Sequence, residues 1–167
     1  KSEMKFTAVC TNCRTGQPVF FEKHSCSDIY GAIRASASLP LLSPTVDVED
    51  TPYVDGGVSC SIPFAQPLKE GYDKVVVITT REHGYRKPQV PHALAKLYAK
   101  HYRAYPRLVQ SLLDTPRRYA RELEELDRLE AAGKIFVLRP TEPVTVSRTE
   151  KDVNKLRALS AQGRRPC

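Results

Sequence analysis

Apolar positions come in short extended runs over the first half of the chain and at helical spacing over much of the second. Residues 4–10 and 18–22 read as strands, and the turn at Arg14-Thr15-Gly16 joins them closely enough to predict an antiparallel pair. Ser27 or Asp28 can cap a helix through Ala37, in which Gly31, Ala32, Ala35 and Ala37 permit close packing. Pro40 ends it. Residues 41–54 contain prolines and read as irregular, closing in a short extended approach to Asp55. Pro63 suits the first turn of a helix that stops at Gly71, and Pro67 keeps that helix short or breaks it. Residues 73–79, β-branched without a break from Val75 to Thr79, have the pattern of a strand buried on both faces.

The second half changes character. A polar loop spans 81–90, and Pro91 opens a helix to about Tyr105 that carries Tyr98, Tyr102 and Tyr105 on one face. Pro106 interrupts it and starts another helix, to Leu113. Thr115-Pro116 then reads as an N-cap with proline in the first helical position, and Gly133 closes a long charged helix. In that helix Tyr119, Leu123, Leu126 and Leu129 form an apolar stripe beside charges spaced for pairing along the helix. Residues 134–138 read as a further strand. Thr149-Glu150-Lys151-Asp152 resembles the capped start of a last helix ending near Gly163, and the tail 164–167 reads as disordered. Alternation of strands with helices predicts an α/β fold with a mostly parallel central sheet.

Candidate chemistry centres on Pro52-Tyr53-Val54-Asp55-Gly56-Gly57. Gly56 and Gly57 lack a Cβ, so the backbone can turn sharply and approach another segment closely. An aspartate held at such a turn is well placed to act as a base, and Asp-Gly is equally a common surface turn. The flanking pattern adds Ala35-Ser36-Ala37-Ser38-Leu39-Pro40 before it, Thr15-Gly16 and Pro18-Val19-Phe20-Phe21 further upstream, and Gly71-Tyr72-Asp73-Lys74 running into Val75-Val76-Val77-Ile78 after it.

This ordered set, over roughly residues 4–80, resembles the second half of the patatin-like phospholipases, a family of lipid acyl hydrolases. The resemblance implies helices on both faces of the sheet and a Ser–Asp dyad in which Asp55 is the catalytic aspartate. Gly56, Gly57, Ser36 and Pro40 are the supporting positions of the motif. It also implies a Gly-x-Ser-x-Gly nucleophile turn and a glycine-rich oxyanion loop, and none of the eight glycines forms either. The expectation is therefore a C-terminal part of a longer hydrolase, with residues 1–85 as the incomplete hydrolase domain and 86–167 as a mainly helical extension with one strand. Its partners would be a lipid or other acyl ester and the N-terminal half of the same protein. Similar extensions follow the hydrolase domain in some bacterial patatin-like proteins.

Net charge changes the picture only modestly. The chain carries +7, and residues 81–107 hold Arg81, Arg86, Lys87, Lys96, Lys100, Arg103 and Arg107 against Glu82. That balance predicts weak contact with anionic membrane surfaces, with a solvated helix face or a non-catalytic basic module as the alternatives. The helical spacing of the tyrosines favours packing over base stacking, so no nucleic acid is expected. No apolar run is long enough to span a bilayer, and the expected location is cytoplasmic, peripheral to a membrane. The five cysteines, an odd number, predict reduced thiols. Cys10-Thr11-Asn12-Cys13 has the spacing of a redox or zinc pair, but His24 and Cys26 lack the usual spacing of further ligands. Neither a metal nor any other cofactor is expected.

Overall fold

The computed structural model describes residues 3–147 and 150–164. It divides into two compact units, the first made of residues 1–63 and 87–123, the second of 64–86 and 124–167.

A four-stranded sheet of order β2-β1-β4-β3 organises the first unit, from β1 (Thr7–Asn12), β2 (Pro18–Glu22), β3 (Val46–Val48) and β4 (Thr51–Asp55). Every pairing in it is antiparallel. The expected mostly parallel central sheet is thus wrong, and connection length explains why. Parallel neighbours need a crossover of a dozen residues or more, whereas short turns join β1 to β2 and β3 to β4. At the first turn, Asn12 Oδ1 accepts the amides of Arg14 and Thr15 at 2.8 and 3.1 Å. At the second, Glu49 and Asp50 both take positive φ, 50° and 59°, as a two-residue hairpin loop requires. Reading 41–54 as irregular overlooked β3 for this reason: acidic residues in left-handed conformation replaced the glycine that usually announces such a hairpin.

Helix α1 (Ile29–Ser36) is capped by Asp28, whose Oδ1 accepts the Gly31 amide at 2.8 Å. Its small buried residues Ala32 and Ala35 join Ala8, Cys10, Phe21, Val46, Val48 and Tyr53 in one core cluster. A second cluster gathers Cys13, Val54 and Val58 with Tyr102, Leu108 and Leu112. Strand alternation accounts for the two sets, since Tyr53 and Val54 point to opposite faces. Helix α3 (His92–His101) is shorter than the expected 91–105. Tyr102, just after it, is buried, while Tyr98 and Tyr105 pack against the second cluster half-buried.

A single helix, α4 (Pro106–Ala131), replaces the two expected on either side of Thr115-Pro116. Pro116 has no amide for the carbonyl four residues back, and interior proline ordinarily breaks a helix. Here burial of Leu108, Leu112 and Tyr119 carries the helix through in spite of the lost bond to Leu112 O.

The second unit contains α2 (Ala65–Lys69), β5 (Val76–Ile78), β6 (Phe136–Leu138), α5 (Val153–Gln162) and the part of α4 from Glu124 onward. β5 and β6 form the one parallel pairing among the described residues. The reading of 73–79 as a strand buried on both faces is also corrected. Val77 and Val137 are buried, whereas Val76, Ile78 and Phe136 on the other face are exposed. Leu126 and Leu129 are buried, and Arg139 donates to Glu130 at 2.7 Å. Asp152 caps α5 by accepting the Asn154 amide at 2.8 Å. Of the expected cap and tail, Thr149 and residues 165–167 lie outside the described residues.

Candidate active site

Asp55 is the last residue of β4 and the cap of a 3-10 turn, Gly56–Val58. Its register partner is Cys10, so it shares a sheet face with Tyr53 and the α1 cluster. Three bonds fix its backbone and carboxylate. Its amide donates to Ser38 O at 2.9 Å, its carbonyl accepts from Thr11 Oγ1 at 2.8 Å, and its Oδ1 accepts the Gly57 amide at 2.7 Å. Thr11 spends its proton on that carbonyl, so the 2.8 Å contact between Ser59 Oγ and Thr11 Oγ1 is a donation from Ser59.

The glycines are required by space. A Cβ on Gly56 would sit 2.2 Å from Val9 O, and one on Gly57 would sit 3.0 Å from Asp55 Oδ1. The turn therefore lies flat against β1 with the carboxylate at its edge. An open cleft of about 450 Å³ begins there. Asp55, Gly56, Gly57, Ser36, Ala37, Cys60 and Ser61 line it, with Phe6, Ile33 and Pro63 as an apolar flank. Of the residues singled out in the sequence, Ser36, Asp55, Gly56 and Gly57 are brought together in this cleft, and Pro40 is not among its lining residues. The lining contains no histidine.

Reading the sequence missed the group that holds the turn from below. Glu122 on α4 accepts the amides of Ser61 and Ile62, each at 3.2 Å. The single Thr115 hydroxyl proton is shared between Val58 O and Ser111 O, each 3.0 Å away, and Arg118 Nη1 donates to Val58 O. Lys87 Nζ donates to Ser61 Oγ at 3.0 Å while lying over the Tyr119 ring, and Ser61 Oγ in turn donates to Gly57 O at 2.8 Å. Burial raises the Glu122 pKa above the ordinary carboxylate value, against the pull of the two amides, Lys87 and Arg118. On the helix alone these residues read as surface charge pairs; only the fold shows that they face backbone groups.

Residues 105–167 match a family model described as a domain of unknown function, DUF6363. The matched segment does not reach Asp55, but it includes Thr115, Arg118 and Glu122. No curated protein matches the chain.

The cysteines are separated by the sheet. Cys10 belongs to the α1 cluster and Cys13 to the opposite one. Burial pushes both thiols up to about 12, with Asp55 adding to the effect on Cys10 and Asp47 on Cys13. Burial likewise raises Cys60, at the cleft, to about 11. Cys10 donates its thiol to Ala32 O at 3.2 Å, as a small buried residue would. Among the described residues no group of three His, Cys, Asp or Glu is arranged to hold a metal ion.

Proposed function

We propose that this chain supplies the catalytic base of a lipid acyl hydrolase of the patatin-like phospholipase type, acting through a Ser–Asp dyad. The serine would come from a segment outside these 167 residues. One observation carries the reading: a carboxylate pinned through Oδ1 by the Gly57 amide at the edge of an open cleft with an apolar flank. The reading rests on this local geometry and on the order of the motifs, not on the sheet, which is antiparallel.

With Oδ1 held by the amide, Oδ2 is the oxygen that would take the serine proton as the hydroxyl attacks the ester carbonyl. A hydroxyl at its free pKa is a poor nucleophile, so this transfer is what makes attack possible. The protonated carboxyl would then return the proton to the departing alcohol. In the second half-reaction Asp55 would take a proton from water as it attacks the acyl-serine, and return that proton to the serine oxygen as the acid departs. The apolar flank of Phe6, Ile33 and Pro63 suits an acyl chain better than a charged substrate.

The test compares this chain alone with a longer protein that contains it and a Gly-x-Ser-x-Gly turn. The longer protein should turn over p-nitrophenyl esters, and the 167-residue chain should not rise above buffer. Robust turnover by the chain alone would remove the need for an outside serine and overturn the proposal.

No helix among the described residues is long and apolar enough to cross a membrane. We place the protein in the cytoplasm, meeting membranes at their surface through Lys96, Lys100, Arg103 and Arg107, all exposed in the first unit. Each basic side chain near an anionic surface adds ~1 kcal/mol of attraction, screened by salt. Weak co-sedimentation with anionic vesicles at low salt, lost as salt is raised, is the expected result. Equal sedimentation with neutral vesicles would count against it.

A further inference from the structure

We infer that Glu122 is a positioning residue for Asp55: α4 holds the Gly56–Ile62 turn by its backbone, and so sets where the Asp55 carboxylate points. The inference rests on the hydrolase reading for its catalytic consequence, but its structural half stands on the contacts alone.

Four backbone groups within residues 57–62 are held: the Ser61 and Ile62 amides and the Val58 and Gly57 carbonyls. Glu122 uses both carboxylate oxygens, one for the Ser61 amide and one for the Ile62 amide. Thr115 and Arg118, on the same helix, both donate to Val58 O. Ser61 passes the restraint back to Gly57 through its hydroxyl bond to Gly57 O, and Lys87 donates to that hydroxyl from the segment before α3. Gly57 is the residue whose amide holds Asp55 Oδ1. The path from helix to carboxylate is therefore an unbroken chain of hydrogen bonds, each 3.2 Å or shorter. A carboxylate half-buried at a cost in desolvation is retained where two amides need an anionic acceptor, and a neutral amide side chain cannot replace it. The segment matching DUF6363 thereby contributes to the site instead of standing apart from it.

The charged and titratable groups around Glu122 are Arg118 on its own helix, Lys87 from the segment before α3, and Cys60 in the turn, whose thiol Glu122 helps to raise. Protonating Glu122 should free one of the two amides. Because its folded-state pKa lies above the ordinary 4.5, Glu122 binds a proton more readily in the folded chain. Its contribution to stability therefore grows as pH falls from above the folded value toward 4.5. A Gly57 amide that loosens within that window is a local response and not global unfolding.

The experiment is Glu122→Gln, read by amide exchange and by amide shifts against pH in this chain, and by kinetics in the longer protein. Gln offers one oxygen where two are used, so Gly57 and Ser61 amide protection should fall roughly tenfold, the weight of one hydrogen bond to a charged acceptor. The common titration of the Ser61 and Ile62 amide shifts should vanish. In the longer protein kcat should fall about tenfold with KM unchanged, as expected when a reacting group is misplaced by a fraction of an ångström. Thr115→Val, which removes the hydroxyl that meets Val58 O and Ser111 O, should loosen Gly57 in the same direction if Glu122→Gln proves too unstable to measure. Unchanged Gly57 protection in either folded variant overturns the inference. Loosened Gly57 protection in a protein whose turnover does not depend on Asp55 would leave the coupling in place and remove the hydrolase reading.

Discussion

Asp55→Asn in the longer protein should remove ~10²–10⁴-fold of the turnover, the usual contribution of a general base, while leaving the fold intact. The substitution is nearly silent structurally. Asn keeps an Oδ1 that accepts the Gly57 amide, and the backbone bonds to Ser38 and Thr11 do not involve the side chain. What it loses is the ability to take a proton from serine at neutral pH. The loss should appear in kcat, because proton transfer belongs to the chemical step. A second signal checks that the residue still faces the sheet interior: Asp55 adds to the raised pKa of Cys10, so removing its charge should lower that thiol slightly from about 12. Burial, the larger cause, would keep it well above an ordinary thiol. Wild-type kcat in Asp55→Asn with unchanged Tm would make Asp55 a plain turn residue, since Asp and Asn serve turns about equally.

Local features of this molecule were legible in the sequence, and the long-range arrangement was not. The β1–β2 hairpin, the α1 helix and the Asp55-Gly56-Gly57 turn follow from chemistry within a few residues: an Asn and a Gly at a turn, an aspartate at a cap, an aspartate that accepts the amide two residues on. Sheet direction is different. A run such as 73–79 shows that a strand is apolar, but not how many of its residues pair or whether a second face is covered. The β3–β4 loop escaped because Glu49 and Asp50 adopt positive φ without glycine to mark it. Pro116 misled for the opposite reason, since local rules predict a break that packing overrides. At the site, Asp55, Gly56, Gly57 and Ser36 could be named in advance because they lie in two short motifs. Glu122, Arg118 and Thr115 could not, as they meet the turn from some 60 residues away in sequence.

The two glycines after Asp55 should fail in different ways when each is replaced by alanine. At Gly56 the new Cβ would lie 2.2 Å from Val9 O, 2.6 Å from Val9 C and 3.0 Å from Val9 Cβ. These atoms belong to β1, an inner strand paired to β2 on one side and β4 on the other, so they cannot swing aside as a side chain would. Either the sheet or the turn must move by the better part of an ångström. Overpacking of this kind costs ~1–3 kcal/mol where side chains can adjust, and rigid backbone puts Gly56→Ala at the upper end or beyond. A loss of ~3 kcal/mol corresponds to a fall of about 6–12 °C in Tm for a domain of this size. At Gly57 the nearest atom is Asp55 Oδ1, at 3.0 Å, with the rest of that carboxyl further away. A carboxylate can turn away, so Gly57→Ala should keep its Tm within a few degrees by the same scaling. Turning away, however, breaks the bond to the Gly57 amide that aims the carboxylate. Turnover in the longer protein should then drop by roughly tenfold or more, as for other small misplacements of a reacting group. Thermal melts of both variants, with kcat measured on the one that stays folded, decide the matter. A Gly56→Ala protein melting with the wild type would show that the turn does not lie against β1, and the carboxylate would then have no fixed place at the cleft.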